Sequence, residues 1–170
     1  FSVVVVASSK NEYSRMTPEV RDKLLDVVAR VRPRFDRVLL DTGAGISDVV
    51  LFTVSLADEV LVIATPEPTS LADAYATVKV LASTQAARPM KLLVNQIQRS
   101  GEGRAVRAQL QQVVDRFVNS TVAAPVKLEL VGEVPQDTAV REAVQRRQLL
   151  LDTIPGCAAA LGVAAAAGKL

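Results

Sequence analysis

The chain has 170 residues, 49% of them hydrophobic and 22% charged, with 20 basic against 18 acidic side chains. That size suits a single domain with a sizeable core, the composition excludes a disordered chain, and a net charge of +2 excludes a strong polyanion-binding field. One cysteine, Cys157, and no histidine exclude an intrachain disulfide framework, zinc sites, and Ser-His-Asp or Cys-His catalysis.

"SVVVVA" (2–7) is a short β-branched run, as expected of a parallel strand buried on both faces. After the polar loop "SSKNEYSRM", Thr17 offers an N-cap and Pro18 a first helical position. Val20, Leu24, Val27, Val28 and Val31 follow at helical spacing, and Pro33 stops the helix. "RVLLD" (37–41) reads as a second strand, and "SDVVLFTVSLA" (47–57) as a helix capped by Ser47 or Asp48. "EVLVIA" (59–64) is the third strand. A helix then begins at Thr69 or Ser70, with Ser70 and Asp73 in capping-box spacing and Leu71, Tyr75, Val78 and Leu81 or Ala82 on one face. "KLLVN" (91–95) is a strand, and the helix after it carries Val106, Leu110, Val113, Val114 and Phe117. "VKLELVGEV" (126–134) is the last strand, followed by helices at about 138–147 and 156–167.

Five strands alternating with helices predict one α/β domain, residues 1–170, with a mostly parallel sheet. The longest apolar stretch, 149–168, is interrupted by Asp152 and Pro155 and does not read as a membrane span. The opening "FSVVVVASSK" has no basic region of the kind a signal peptide carries, and Phe1 is not an initiator Met. The expectation is a segment excerpted from something longer.

Ligands of such sheets sit at the carboxyl ends of the strands. There the chain places Ala7-Ser8-Ser9, Asp41 to Gly45, Thr65 to Pro68, Asn95-Gln96 and Val134 to Asp137. A carboxylate that closes an apolar strand calls for a partner or a cation, and magnesium beside nucleotide phosphates suits Asp41. Gly43 and Gly45, two and four residues on, let a backbone approach an anion. An ordinary turn with a capping Asp explains the same spacing, and the two readings stay open. Asn95 can donate to and accept from a nucleobase edge, although a lone Asn more commonly bonds its own backbone. Pro135 and Asp137 can flank a base or ribose, or be a strand exit and an N-cap. Glu67 is read as a solvated loop charge.

The arginines at 99, 104, 107, 116, 141, 146 and 147 have acidic neighbours and no interleaved aromatics, so they read as solvated faces without a strong nucleic-acid signal. Cys157 reads as a small buried hydrophobe. The ending "GVAAAAGKL" is not a phosphate loop, because five residues separate its glycines and Leu170 stands where Ser or Thr would hold magnesium.

"FDRVLLDTGAGIS" (35–47), "TPEPTSLADAYATVKVL" (65–81), "LLVNQ" (92–96) and "VGEVPQDTAVREAV" (131–144) resemble, in order, the MinD/ParA family of deviant-Walker P-loop ATPases. Within it they look like the FlhG/FleN-type (MinD-like) regulators of flagellar number and placement. The resemblance implies a P-loop NTPase-like, Rossmann-type three-layer fold and a nucleotide switch with ATP and Mg²⁺ as cofactors. Asp41 would be the Walker B aspartate, acting on Mg²⁺ through water, and Gly45 the glycine that senses the γ-phosphate. Asn95 would read adenine, with Pro135 to Asp137 at the base and ribose. It further implies a cytoplasmic protein, whose route to the periphery of the inner membrane would be through partners. An ATP-dependent homodimer and a flagellar regulator or assembly protein would be its partners. Direct membrane anchoring looks weak, since residues 156–170 offer only Lys169 as a base and no large aromatic.

The family's opening lysine loop (Walker A) does not occur in these 170 residues, so the chain matches the C-terminal two-thirds of such a domain. The expectation is that the chain by itself neither hydrolyses ATP nor binds it tightly. Rival readings are a P-loop-less MinD-like binding or scaffold module, a dethiobiotin-synthetase-like ligase, and a nitrogenase-iron-protein-like reductase. Cys157 alone disfavours the reductase, because a shared iron–sulfur cluster needs more cysteine.

Overall fold

The computed structural model describes residues 17–84 and 89–170. The chain divides into two compact units, one running to Ala57 and the other from Asp58 to Leu170. The expected strand at 2–7 lies outside the described residues.

In the first unit, α1 (Pro18–Val31) starts as its sequence dictates. The Thr17 hydroxyl accepts from the Val20 N–H at 3.4 Å, and Pro18 occupies the first turn. A 3₁₀ turn, Arg32–Arg34, ends it at Pro33. Helix α2 (Asp48–Ser55) is capped by Ser47, whose hydroxyl accepts from the Val50 N–H. The Arg21 guanidinium stacks 5.2 Å from the centre of the Phe52 ring, which ties α1 to α2.

The stretch between them corrects one expectation. Residues 37–41, "RVLLD", form no strand, and Leu39 is 85% exposed. An apolar run becomes a strand only where a neighbour takes up its N–H and C=O groups, and among the described residues no ladder reaches this segment. Of the five expected strands, three stand in the described sheet.

Those three make up the second unit: β1 (Val60–Ala64), β2 (Met90–Ile97) and β3 (Leu128–Pro135), parallel and in the order β1-β2-β3. They alternate with α3 (Pro68–Thr84) and α4 (Glu102–Phe117) and are followed by α5 (Thr138–Gln145), α6 (Leu150–Thr153) and α7 (Ala158–Ala167). This is an α/β fold. Val62, Leu92 and Val94 meet Val78 and Leu81 of α3 and Val106, Leu110 and Val114 of α4 in the core. Phe117, expected on that apolar face, is exposed, and Val118 is buried one step further on.

Side-chain alternation assigns the second face. A register shift between Leu92 and Leu93 turns β3 so that Gly132 faces α7, where a Cβ would lie 2.5 Å from that of Ala166. The next residue, Glu133, points the other way, against Gly103 of α4. Helices therefore pack on both faces, α3 and α4 on one and α7 over β3 on the other, where Leu61 and Ile63 of β1 stay exposed. On the α7 face, Lys91, the second residue of β2, is a buried cation, 2.8 Å from Glu59 and 3.4 Å from the Lys169 carbonyl. Helix α3 starts at Pro68, earlier than expected. Ser70 thus lies inside the first turn, where its hydroxyl accepts from the Thr65 N–H at 2.9 Å and forms no capping box with Asp73.

Candidate functional site

The carboxyl ends of β1, β2 and β3 form one edge of the second unit, as parallel pairing requires. Asn95 ends the regular part of β2, on the same face as Leu93 and Lys91, and is half-buried. Its carboxamide oxygen accepts from the Gln96 N–H at 2.9 Å. The amide nitrogen has no partner among the described residues. Gln96 adopts a left-handed backbone, φ +58°, and the register slips between Asn95 and Ile97. Buried Ile97 then pairs with Pro135, and its carbonyl accepts from the Gln136 N–H at 2.9 Å.

Asp137 follows directly. One carboxylate oxygen accepts from the Ala139 N–H at 3.0 Å and the other from the Ala159 N–H at 3.1 Å, so a single side chain caps both α5 and α7. The bond from Ala139, then that from Ala159, holds its carboxyl below the ordinary carboxylate value. Pro135 abuts α7 at Gly162, where a Cβ would come within 3.2 Å of the proline ring. Cys157, expected as a buried hydrophobe, is half-exposed at the α7 N-cap, and its sulfur accepts from the Ala160 N–H. Gly162 lies inside α7, in keeping with a helical ending and no phosphate loop.

Two carboxylates that the sequence reading passed over fix the β2–α4 loop. Glu133 accepts from the Arg104 N–H at 3.0 Å at the start of α4. Glu102 accepts from the Gln98 N–H at 2.7 Å and more weakly from Arg99. Both place negative charge where helix N–H groups are unsatisfied. The signal available in the sequence was "SGEG", a glycine followed by an acid at a helix start.

In the first unit, Asp41, Gly43 and Gly45 share one exposed loop that leads into the Ser47 cap of α2. Gly45 has φ +94°, a backbone that glycine adopts without strain, whereas Gly43 does not need one. Asp41 is exposed, so the desolvated carboxylate expected at a buried strand end is absent from this environment. Six named site residues thus fall into two groups: Asn95, Pro135 and Asp137 along one sheet edge, and Asp41, Gly43 and Gly45 in one loop of the other unit.

A surface groove of about 580 Å³ lies on the outer face of α4 between Arg107, Gln111, Asp115 and Arg116, and none of the named site residues lines it. It is shallow, and its mixed charges suit a solvated helix face. Among the described residues, no three His, Cys, Asp or Glu side chains gather as metal ligands. Asp41 stands as a single exposed carboxylate and belongs to no all-protein cation cage among the described residues.

No family model matches the chain. Among curated proteins, the antiactivator FleN of Pseudomonas aeruginosa is 33% identical over 168 residues, 99% of this chain and 58% of FleN. The flagellum site-determining protein YlxH of Helicobacter pylori is 26% identical over 137 residues, 81% of this chain and 44% of YlxH. Among solved structures, the cell division ATPase MinD of Pyrococcus furiosus superposes with a TM-score of 0.66 at 20% identity, over 88% of this chain and 57% of that one. The chain resembles the MinD/ParA family in sequence and in fold. It spans roughly half the length of these relatives, and the superposition on MinD establishes the same α/β, P-loop NTPase-like fold for the matched part.

Proposed function

We propose that this chain is the C-terminal part of a MinD-like nucleotide switch that regulates the number or placement of flagella. The alignment with FleN carries the reading, because it runs through 99% of the chain at 33% identity and takes in the Asp41 loop, the end of β2 and the end of β3. The name of YlxH points to the same process. The ligand is ATP with Mg²⁺, by analogy with the relative described as an ATPase.

ATP would supply a terminal phosphate whose presence or loss sets the state of the switch. The residues of this chain have separate parts in sensing it. Asp41, exposed and acceptor-only when ionised, would hold magnesium by accepting hydrogen bonds from its waters. Gly45, with its left-handed backbone, gives the loop a turn from which an N–H can meet a phosphate oxygen. Asn95 would donate to the base from its amide nitrogen, which has no partner among the described residues. Pro135 offers an apolar wall beside it. Asp137 holds the first turns of α5 and α7 against that wall, and its remaining lone pairs are available to a ribose hydroxyl.

In the whole protein, ATP favours a homodimer, and the dimer addresses a flagellar regulator or assembly protein. Among the described residues, no helix is long and apolar enough to cross a membrane. A cytoplasmic location, with any membrane contact made through partners, completes the proposal.

Calorimetric titration of ATP into the whole natural protein, with and without Mg²⁺, tests the nucleotide part. Magnesium should tighten binding in the wild type, and Asp41→Ala should abolish that gain. No ATP binding by the whole protein, or an unchanged magnesium effect in Asp41→Ala, would refute it.

A further inference from the structure

The end of β2 is kinked by a residue poorly suited to a kink. Gln96 sits at φ +58°, where a side chain is strained and glycine is the ordinary choice. Its surroundings hold it there. The register slip between Asn95 and Ile97 requires it, and Ile97 is anchored by burial, by pairing with Pro135 and by the Gln136 N–H. The Gln96 side chain itself is exposed, so its backbone has to explain the conformation.

We propose that the Gln96 backbone is a positioning element for purine selectivity. Its N–H takes one lone pair of the Asn95 carboxamide oxygen at 2.9 Å, which fixes the way the amide is turned and directs the NH₂ group to the ligand. The inference rests on the reading of Asn95 as the group that meets the base. An amide free to rotate exchanges its donor and acceptor ends and serves purines of either pattern. A fixed amide, with one outward donor and a second lone pair on its oxygen, matches adenine, which shows an acceptor beside an amino group. The corresponding edge of guanine reverses the pattern, a ring N–H donor beside a carbonyl acceptor, and meets the fixed amide donor to donor and acceptor to acceptor.

The test is titration of ATP and GTP into the whole natural protein and its variants, with melting temperatures recorded alongside. Gln96→Gly and Gln96→Ala keep the N–H in place and should retain the affinity and the preference of the wild type. Gln96→Val puts a β-branched residue at a left-handed position. It should weaken ATP severalfold, because a β-branched side chain tolerates that backbone less well than the unbranched glutamine, and should narrow the preference for ATP over GTP. Wild-type affinity and preference in Gln96→Val would overturn the inference, as would an equal loss in Gln96→Ala. Asn95→Ala separates the two levels. If it leaves ATP binding unchanged, the reading of Asn95 falls and the inference with it. If it weakens binding while Gln96→Val does not, the inference falls alone. Should Gln96→Val not fold, hydrogen exchange in the wild type decides: a protected Gln96 amide supports the bond, and a freely exchanging one overturns it.

Discussion

Replacing Gly162 by alanine sets two effects of opposite sign against each other. In the middle of a helix, alanine is better than glycine by up to about 1 kcal/mol. At Gly162, however, the new Cβ would lie 2.8 Å from the Glu133 carbonyl oxygen and 3.2 Å from both the Val134 Cα and the Pro135 ring. Two of these three atoms are backbone and the third belongs to a proline, so none can swing aside. Contact distances near 3.5 Å oblige α7 to retreat by roughly half an ångström or more, which forfeits a quarter to a half of each contact it makes. The contacts at stake are those of Ala159, Ala160 and Ala166, all buried against the sheet. Overpacking of this kind costs about 1–3 kcal/mol, so Gly162→Ala should be destabilising by up to about 2 kcal/mol net. Gly168→Ala is the control, because its Cβ would meet nothing nearer than 3.7 Å. Urea unfolding followed by circular dichroism compares the two directly. A Gly162→Ala protein as stable as Gly168→Ala would refute the close approach of α7 to β3.

Arg147 holds a left-handed position, φ +53°, just past α5, where the Arg147 and Gln148 N–H groups return to the Val144 and Ala143 carbonyls. Arg147→Gly should raise stability by about 1 kcal/mol in the same urea assay, and a loss would show that the side chain matters more than the backbone. Glu59→Ala strands the buried Lys91 ammonium and should cost about 1–3 kcal/mol, whereas Lys91→Met removes the charge together with its partner's task and should cost less. The reverse order would contradict the ion pair. The Asp137 carboxyl is held below its ordinary value, so its contribution to stability is complete above about pH 4 and is lost as the pH falls through the lowered value. Asp137→Asn should be less stable than wild type at pH 7 and approach it in acid, and a constant difference across that range would refute the double cap.

Local signals transferred from sequence to structure and non-local ones did not. Thr17-Pro18 starts α1 because a cap needs only its own first turn. "VLVIA" and "RVLLD" look alike as strings, yet one is a strand and the other is exposed, since a ladder depends on a neighbour that no window of sequence contains. Asp137 was legible as the cap of α5, but its bond to Ala159, 22 residues on, arises from tertiary packing. Asn95 was legible as a strand end, and the kink that orients it was not, because Gln96 carries none of the marks of a left-handed residue. The grouping of Asn95, Pro135 and Asp137 along one edge followed from reading the strands as parallel, which the register bears out.

The regulatory role is tested most directly by counting flagella per cell, and recording their position, in the source organism after deletion of the gene that encodes this chain. The number or placement should change on deletion, return with the wild-type gene, and fail to return with the Asp41→Ala gene. Cells whose flagella are unaltered by the deletion would contradict the assignment.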